Sequence, residues 1–319
     1  MIDIRLSDNL ELMAEIEDNT VDLIYCDILY GTGRKFKDYQ DLKPKREIIE
    51  EHYMPRIKEM HRILKDTGSI YLQMDTKINH WLRCILDDVF GYDNFKNDII
   101  WSKGFNGTAS NMFFQKTHDN ILFYSKTKNV KWNEVNQKHK ENYYKRKNKK
   151  DEKGFYQEVK RYRKDRSFYY GKCYEQPKKC NDVIEDIRLL PSNATERIGY
   201  DTQKPKKLIE RIIKASSNEG DLVADFYAGS FTTAEVCQDL NRNFIGCDTS
   251  EKAVEIGKKR VEKKRKEKDE KPKTLFENEP MPLFIPRVSK SFVCDEEDKK
   301  TMCNNPMSHE CCNKHHKRM

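Results

Sequence analysis

An acid and an aromatic residue, Asp27 and Tyr30, follow a mostly apolar run that begins at Val21. A Gly-Thr-Gly turn at 31–33 comes directly after them. The apolar run predicts a buried strand, because short runs of this kind between turn signals are typical of strands with both faces covered. Asp27 and Tyr30 would then lie at the carboxyl edge of a parallel sheet, where open α/β sheets bind ligands.

A second acid-and-turn pattern occurs late in the chain. Asp225 ends a predicted strand, a turn containing Gly229 opens a helix, and Asp248 ends the next strand. A glycine lets the backbone approach a ligand, and the amides of a helix N-terminus offer donors. An acid about twenty residues after such a turn can accept hydrogen bonds from ribose hydroxyls. The pattern predicts a nucleotide-type cofactor site, with a purely structural turn as the alternative.

Alternating strand and helix patterns surround both motifs. Strands are predicted at 23–26, 69–73, 98–101, 120–124, 221–225 and 243–247, and helices at 47–64, 78–89, 205–217, 232–240 and 251–262. This order predicts an α/β protein in which helices cover both faces of a mostly parallel sheet.

Positive charge is concentrated between the two halves of this pattern. Residues 138–172 hold 14 Lys and Arg and 5 Asp and Glu, so their net charge of 14 − 5 = +9 exceeds the +8 of the whole chain. Eight aromatic residues are interleaved with them. Such a region can neutralise phosphates and stack on bases, which predicts a nucleic-acid partner. A solvated insertion is the alternative.

The C-terminal segment has little core-forming pattern. A mixed charge run starts at Lys263, and seven Cys and His residues crowd the last 26 positions. The weak candidates for metal ligands are Cys303, His309, Cys311 and Cys312, but no paired Cys-x-x-Cys framework is present. We expect a charged linker and a disordered tail over 263–319, with no metal.

Composition bounds the cellular setting. No apolar run is long enough for a transmembrane helix, and the N-terminus does not read as a signal peptide. The cysteines are scattered, as in proteins of a reducing compartment. We therefore expect a cytoplasmic protein that does not enter a membrane.

The motifs together resemble the beta group of S-adenosylmethionine-dependent DNA amino-methyltransferases, which act on adenine N6 or cytosine N4. The 27–30 loop is similar to their Asp-Pro-Pro-Tyr element, residues 202–205 to their Thr-Gln-Lys-Pro element, and 241–248 to their cofactor strand. The resemblance covers about residues 1–262 and keeps the order of motifs. It implies a Rossmann-like fold with a seven-stranded sheet, divided into a catalytic half (1–130), an inserted target-recognition region (131–198) and a cofactor-binding half (199–262).

The resemblance also implies roles for individual residues. Asp27 and the carbonyl of Ile28 would accept hydrogen bonds from the amine of a flipped base, on which Tyr30 would stack. An acid at the first loop position implies adenine N6 in duplex DNA as the target. The residues implied to bind S-adenosylmethionine are Asp8, Thr202, Lys204, Asp225, Tyr227, Gly229 and Asp248. Lys204 and Asp225 would lie near the methionine moiety, and Asp248 would hold the ribose.

The chain departs from the family pattern in both motifs. Ile28 and Leu29 replace the two prolines, which leaves the loop less preorganised. Phe231 stands where the family usually has glycine, so it would either crowd the cofactor or strain the turn. A decayed scaffold that binds DNA without catalysis, and an RNA or protein methyltransferase, therefore stay open as alternatives. A homodimer and a partner restriction nuclease stay open as well.

Overall fold

The computed structural model describes residues 1–35, 40–104, 112, 114–137, 139, 143, 146–164, 166–200 and 202–269. The four metal-ligand candidates of the tail lie outside these residues. Within them, no group of three or more His, Cys, Asp or Glu residues could hold a metal ion. None of the described helices has both the length and the apolar character needed to cross a bilayer.

The described residues form thirteen strands and six α-helices. The strands are β1 (Ile2–Leu6), β2 (Val21–Asp27), β3 (Leu64–Met74), β4 (Phe95–Ser102), β5 (His118–Ser125), β6 (Asn136–Gln137), β7 (Lys149–Asp151), β8 (Gly154–Tyr162), β9 (Phe168–Tyr174), β10 (Lys178–Lys179), β11 (Val183–Ile184), β12 (Leu222–Asp225) and β13 (Asn243–Asp248). The helices are α1 (Asn9–Ala14), α2 (Arg46–Ile63), α3 (Asn79–Phe90), α4 (Lys206–Ser216), α5 (Thr232–Asp239) and α6 (Glu251–Asp269).

The main sheet has eight strands in the order β1-β13-β12-β2-β3-β5-β4-β11. Strand β5 runs antiparallel to both of its neighbours, while the other pairings of this sheet are parallel. The chain therefore forms the predicted mostly parallel sheet. The expected count of seven was one too low, because the two-residue strand β11 adds an eighth at the edge beside β4.

Alternate side chains of β2 enter two different cores. Ile24 and Cys26 pack among buried residues of α1, α2 and α3, whereas Leu23 and Tyr25 pack among those of α4, α5 and α6. Successive side chains of a strand point to opposite faces, so helices cover both faces of the sheet, as predicted. Burial of each large apolar side chain stabilises the fold by roughly 1.5–3 kcal/mol.

Helix α6 is longer than predicted, and the region predicted as an insertion contributes one strand to the main sheet. Helix α6 continues to Asp269, seven residues past the expected end at Glu262, and i,i+4 ion pairs such as Lys266–Glu262 support this solvated end. In the region predicted as an insertion, β7, β8 and β9 form an antiparallel sheet of their own, but β11 joins the main sheet.

Candidate functional site

A cavity of about 410 Å³ opens at the carboxyl ends of β2 and β12. These neighbouring strands lead into crossovers that run in opposite directions, β2 toward β3 and β12 toward β13. Such a switch point leaves a crevice between the two halves of an open sheet. Both predicted motifs line this crevice, and its volume falls within the usual range for small-molecule sites.

The catalytic-loop residues meet in one corner of the cavity. The Tyr30 hydroxyl lies 2.8 Å from Asp27 Oδ1, and the Lys204 ammonium pairs with Asp27 Oδ2. Burial raises the pKa of Asp27, and the Lys204 charge opposes that increase. Lys204, which the resemblance placed near the methionine moiety, thus reaches across to the catalytic loop and favours the ionised carboxylate.

The backbone of this loop is held from two sides without prolines. The Tyr53 hydroxyl of α2 donates to the Leu29 carbonyl at 2.9 Å. The Asp41 carboxylate accepts from the Gly31 amide at 3.1 Å and from the Thr32 amide at 2.7 Å. The sequence analysis missed both anchors, because neither belongs to the 27–33 motif.

Asp119 is a further acid at this corner. Its Oδ2 lies 2.9 Å from the Tyr30 hydroxyl oxygen, and its Oδ1 accepts from Lys103 Nζ at 2.5 Å. Gln73 Nε2 donates to the same carboxylate at 3.2 Å. Neither Asp119 nor Lys103 was singled out from the sequence, although both lie within residues 1–262, which the resemblance covers.

The turn between β12 and α5, residues 226–231, is the cofactor turn. Two acids, Asp225 and Asp248, hold it in place. Asp225 is 2% exposed and accepts from the Thr233 hydroxyl at 2.6 Å and the Tyr227 amide at 3.1 Å. Burial raises the pKa of Asp225 to about 7, although these hydrogen bonds oppose the increase. Asp248 accepts from the Gly229 amide at 2.9 Å and so ties the turn to the end of β13.

Gly229 adopts a left-handed conformation with φ of +48°. A β-carbon at this position would lie 3.2 Å from the Tyr200 ring. A side chain would therefore both strain the turn and fill the space beside it. The turn therefore favours glycine at position 229 over any residue with a side chain.

The remaining predicted residues line the same cavity. The Asp8 carboxylate caps α1 through the Leu10 amide at 2.8 Å and lies 3.2 Å from the Arg56 guanidinium. Tyr227 hydrogen-bonds His52 across 3.1 Å, and burial, reinforced by the Arg56 charge, lowers the pKa of His52 to about 4. Thr202 also lines the cavity, so the predicted site residues share one crevice.

Phe231 points away from this crevice. Its side chain is completely buried and meets Phe244 edge-to-face, with the ring centroids 6.3 Å apart. Its backbone is left-handed, with φ of +54°. Of the two expectations for Phe231, the structure supports the strained turn and not the crowded cofactor.

The residues present fit a nucleoside-type cofactor. A carboxylate that accepts backbone amides stands at the end of β13, a glycine leaves the turn open, and a wide cavity joins both to the Asp27 corner. The described residues of the cavity offer acceptors for hydroxyl groups and space for a flat ring.

Comparison with known proteins points the same way. A family model described as DNA methylase, covering N6 and N4 methyltransferases, matches residues 21–259. The chain is 28% identical over 258 residues to the Type II methyltransferase M.HpaI of Haemophilus parainfluenzae, covering 80% of this chain and 73% of that protein. It is 28% identical over 259 residues to the DNA adenine methyltransferase YhdJ of Escherichia coli, covering 80% of this chain and 81% of that protein.

Solved structures share the architecture. The crystal structure of an M1.HpyAVI–SAM complex is similar with a TM-score of 0.51 and 21% identity, covering 82% of this chain and 99% of that one. The PvuII DNA methyltransferase, described as cytosine-N4-specific, is similar with a TM-score of 0.57 and 16% identity, covering 81% of this chain and 86% of that one. At these identities the likeness establishes a Rossmann-like methyltransferase fold.

Proposed function

This chain belongs to the DNA methylase family of N6 and N4 methyltransferases, and is thus an S-adenosylmethionine-dependent DNA methyltransferase. On that premise we propose that its target is the exocyclic N6 of adenine in duplex DNA. The observation that carries the proposal is that Asp27 and Tyr30 share one cavity with Gly229 and Asp248. An acid at the first loop position, and the name of the adenine-specific relative YhdJ, support adenine over cytosine.

The proposed chemistry follows from the weak nucleophilicity of an aromatic amine. Its lone pair is delocalised into the ring, and acceptors on both N–H groups draw that pair out of conjugation. Asp27 accepts one N–H and the Ile28 carbonyl accepts the other, while Tyr30 stacks on the base. The base must leave the duplex to reach this corner, so the proposal includes base flipping. Alignment of the amine with the methyl group supplies much of the acceleration.

S-adenosylmethionine supplies an electrophilic methyl group when it is bound. We propose that Asp248 accepts from the ribose hydroxyls, that Asp8 lies near the adenine ring, and that Gly229 lets the backbone approach the methionine moiety. Thr202, Asp225 and Tyr227 line the same cavity and complete the proposed cofactor site. Lys204 favours the ionised form of Asp27, since its charge opposes the increase in pKa that burial causes.

The antiparallel sheet of β7, β8 and β9 is the proposed DNA-contacting surface. Cross-strand register places Lys160 opposite Tyr170 and Tyr162 opposite Phe168 on one face. The residues Tyr170, Tyr162 and Phe168 are 63%, 68% and 53% exposed. Lys160 Nζ lies 3.7 Å from the centroid of the Phe168 ring. Rings and ammonium groups on one open face match a polyanion that carries flat bases.

The names of several relatives as Type II methyltransferases support a short target sequence and a partner restriction nuclease. A cytoplasmic location belongs to the same proposal.

The decisive experiment supplies labelled S-adenosylmethionine with unmethylated duplex DNA and identifies the product nucleoside by mass spectrometry. We expect N6-methyladenine from the wild-type protein and none from Asp27→Ala. Asp93→Ala, which removes an exposed carboxylate on the 92–94 turn, is the matched control and should keep full activity. N4-methylcytosine as the product would overturn the adenine assignment. Incorporation into RNA but not DNA, or cofactor binding without transfer, would favour the alternative functions.

A further inference from the structure

Asp119 is a buried carboxylate for which the proposed reaction has no direct use. It is 1% exposed and lies near the start of β5. Because β5 runs antiparallel to β3, its beginning lies at the same edge of the sheet as the carboxyl ends of the parallel strands. Topology therefore brings a second acid to the corner where Asp27 ends β2.

An ion pair and hydrogen bonds fix the position of the Asp119 carboxylate. Lys103, which follows the end of β4, pairs with Oδ1 at 2.5 Å. The Gln73 amide donates to Oδ2 at 3.2 Å, while its own carbonyl accepts from the Tyr25 hydroxyl at 2.8 Å. A carboxylate taken out of water is tolerated when it is paired and hydrogen-bonded in this way. Gln73, Asp119 and Tyr25 stand on strands of the main sheet, and Lys103 directly follows one.

Tyr30 lies between two acids. Its hydroxyl oxygen is 2.8 Å from Asp27 Oδ1 and 2.9 Å from Asp119 Oδ2. A phenol carries one hydroxyl hydrogen, so Tyr30 can donate to only one of these carboxylates at a time. A hydroxyl bonded to Asp119 leaves Asp27 Oδ1 free to accept from a substrate amine, while Lys204 pairs with Oδ2.

We propose that Asp119 is a positioning residue that holds the Tyr30 ring through its hydroxyl and releases Asp27 for the substrate amine. The inference rests on the proposed function of the Asp27 corner. It also accounts for a loop that keeps its acid and its aromatic without the two prolines. In this chain the contact with Asp119 on β5 fixes the orientation of the Tyr30 ring, whereas prolines at positions 28 and 29 would restrict φ.

The test is a double-mutant cycle between Tyr30→Phe and Asp119→Asn. Each single variant should lower kcat about ten- to a hundredfold, the usual range for a hydrogen bond to a charged group, with little change in KM for S-adenosylmethionine. The double variant should be no slower than the slower single variant, because Asp119 acts only through the Tyr30 hydroxyl, which Tyr30→Phe removes. Multiplicative losses, or a wild-type kcat for Asp119→Asn, would overturn the inference.

Two further variants serve as controls for the double-mutant cycle. Asp119→Asn leaves Lys103 without its charge partner, so Asp119→Asn/Lys103→Gln is measured as a charge-balanced variant and should show the same fall in kcat. Asp98→Asn, at an exposed position of neighbouring β4 that does not line the cavity, is the control and should keep the wild-type kcat.

The same cycle is run on urea denaturation of the protein without cofactor. The midpoint shift of the Tyr30→Phe/Asp119→Asn variant should be smaller than the sum of the single shifts. Additive shifts would show that the hydroxyl and Asp119 are not coupled, whether or not the protein methylates DNA. A wild-type protein with no transfer activity would contradict the proposed function. Normal transfer by Asp119→Asn would contradict only the role of Asp119.

Discussion

A methyl group added at Gly257 tests the packing beneath the cofactor turn. Gly257 lies within α6, and a β-carbon there would be 2.5 Å from Cδ2 and 2.6 Å from Cγ of Phe231. Real β-carbons do not make contacts this close, so Phe231 occupies space that only a glycine leaves open. Gly257→Ala should therefore force either the α6 backbone or the 229–231 turn to move.

The expected cost is the difference between two effects. Overpacking a filled core costs roughly 1–3 kcal/mol. The atoms that would clash include Cβ and Cγ of Phe231, which cannot swing away as the end of a flexible chain would. We therefore take the upper end, about 3 kcal/mol. Alanine is favoured over glycine within a helix by about 1 kcal/mol, so the net destabilisation should be about 2 kcal/mol.

The assay is urea denaturation of four proteins: wild type, Gly257→Ala, Phe231→Ala and the double variant. Phe231→Ala alone should cost about 3–5 kcal/mol through the lost ring. In that background Gly257→Ala should be neutral or stabilising by about 1 kcal/mol, because only the helix preference remains. A Gly257→Ala protein as stable as the wild type would refute the packing. A large gain in S-adenosylmethionine affinity for Phe231→Ala would show that the ring crowds the cofactor after all.

Four other predictions concern charge. Asp248→Ala should weaken S-adenosylmethionine binding in calorimetry and loosen the Gly229 turn, and unchanged affinity would remove the ribose assignment. The folded-state pKa of Asp225 is raised to about 7, so the stability from its neutral form is complete below pH 4 and is lost as the pH rises through 7. Relative to Asp225→Asn, the wild type should lose on the order of 4 kcal/mol of unfolding free energy over that window, and a constant difference would contradict the burial. The folded-state pKa of His52 is lowered to about 4, so its contribution is complete above pH 6.5 and is lost as the pH falls through 4. His52→Gln should flatten that acid-side loss in urea titrations. Affinity for duplex DNA should fall at least about tenfold between 50 and 200 mM salt if the basic sheet contacts phosphates, whereas salt-independent binding would exclude that surface.

The strongly periodic elements could be predicted from the sequence. Helix α4 buries Leu208, Ile209, Ile212 and Ile213 along one face, and its predicted limits differ by one residue at each end from those observed. Strand β2 was evident as an apolar run, since both of its faces are covered. The short elements gave no such signal: β11 has two residues, and α1 has only two apolar side chains among its three buried ones.

The site was predictable where one strand and its turn supply the residues. Asp27, Asp225 and Asp248 each end a parallel strand, so their common edge follows from the order of motifs. Asp119 escaped this reasoning because it begins an antiparallel strand, whose start meets the ends of the others. The fit of Phe231 against Gly257 was equally hidden, because 26 positions separate them and neither residue alone indicates the contact.

Because Ile28 and Leu29 replace the two prolines, tertiary contacts and not restricted φ angles hold the catalytic loop in place. Proline restricts φ in the folded and unfolded chain alike, so its contribution needs no tertiary contact. Here the loop depends on Tyr53 at Leu29, on Asp41 at two amides, and on the carboxylates around Tyr30. These contacts exist only in the folded protein. Perturbing α2 or the start of β5 should therefore disturb the position of Asp27 even where no substituted residue touches the substrate.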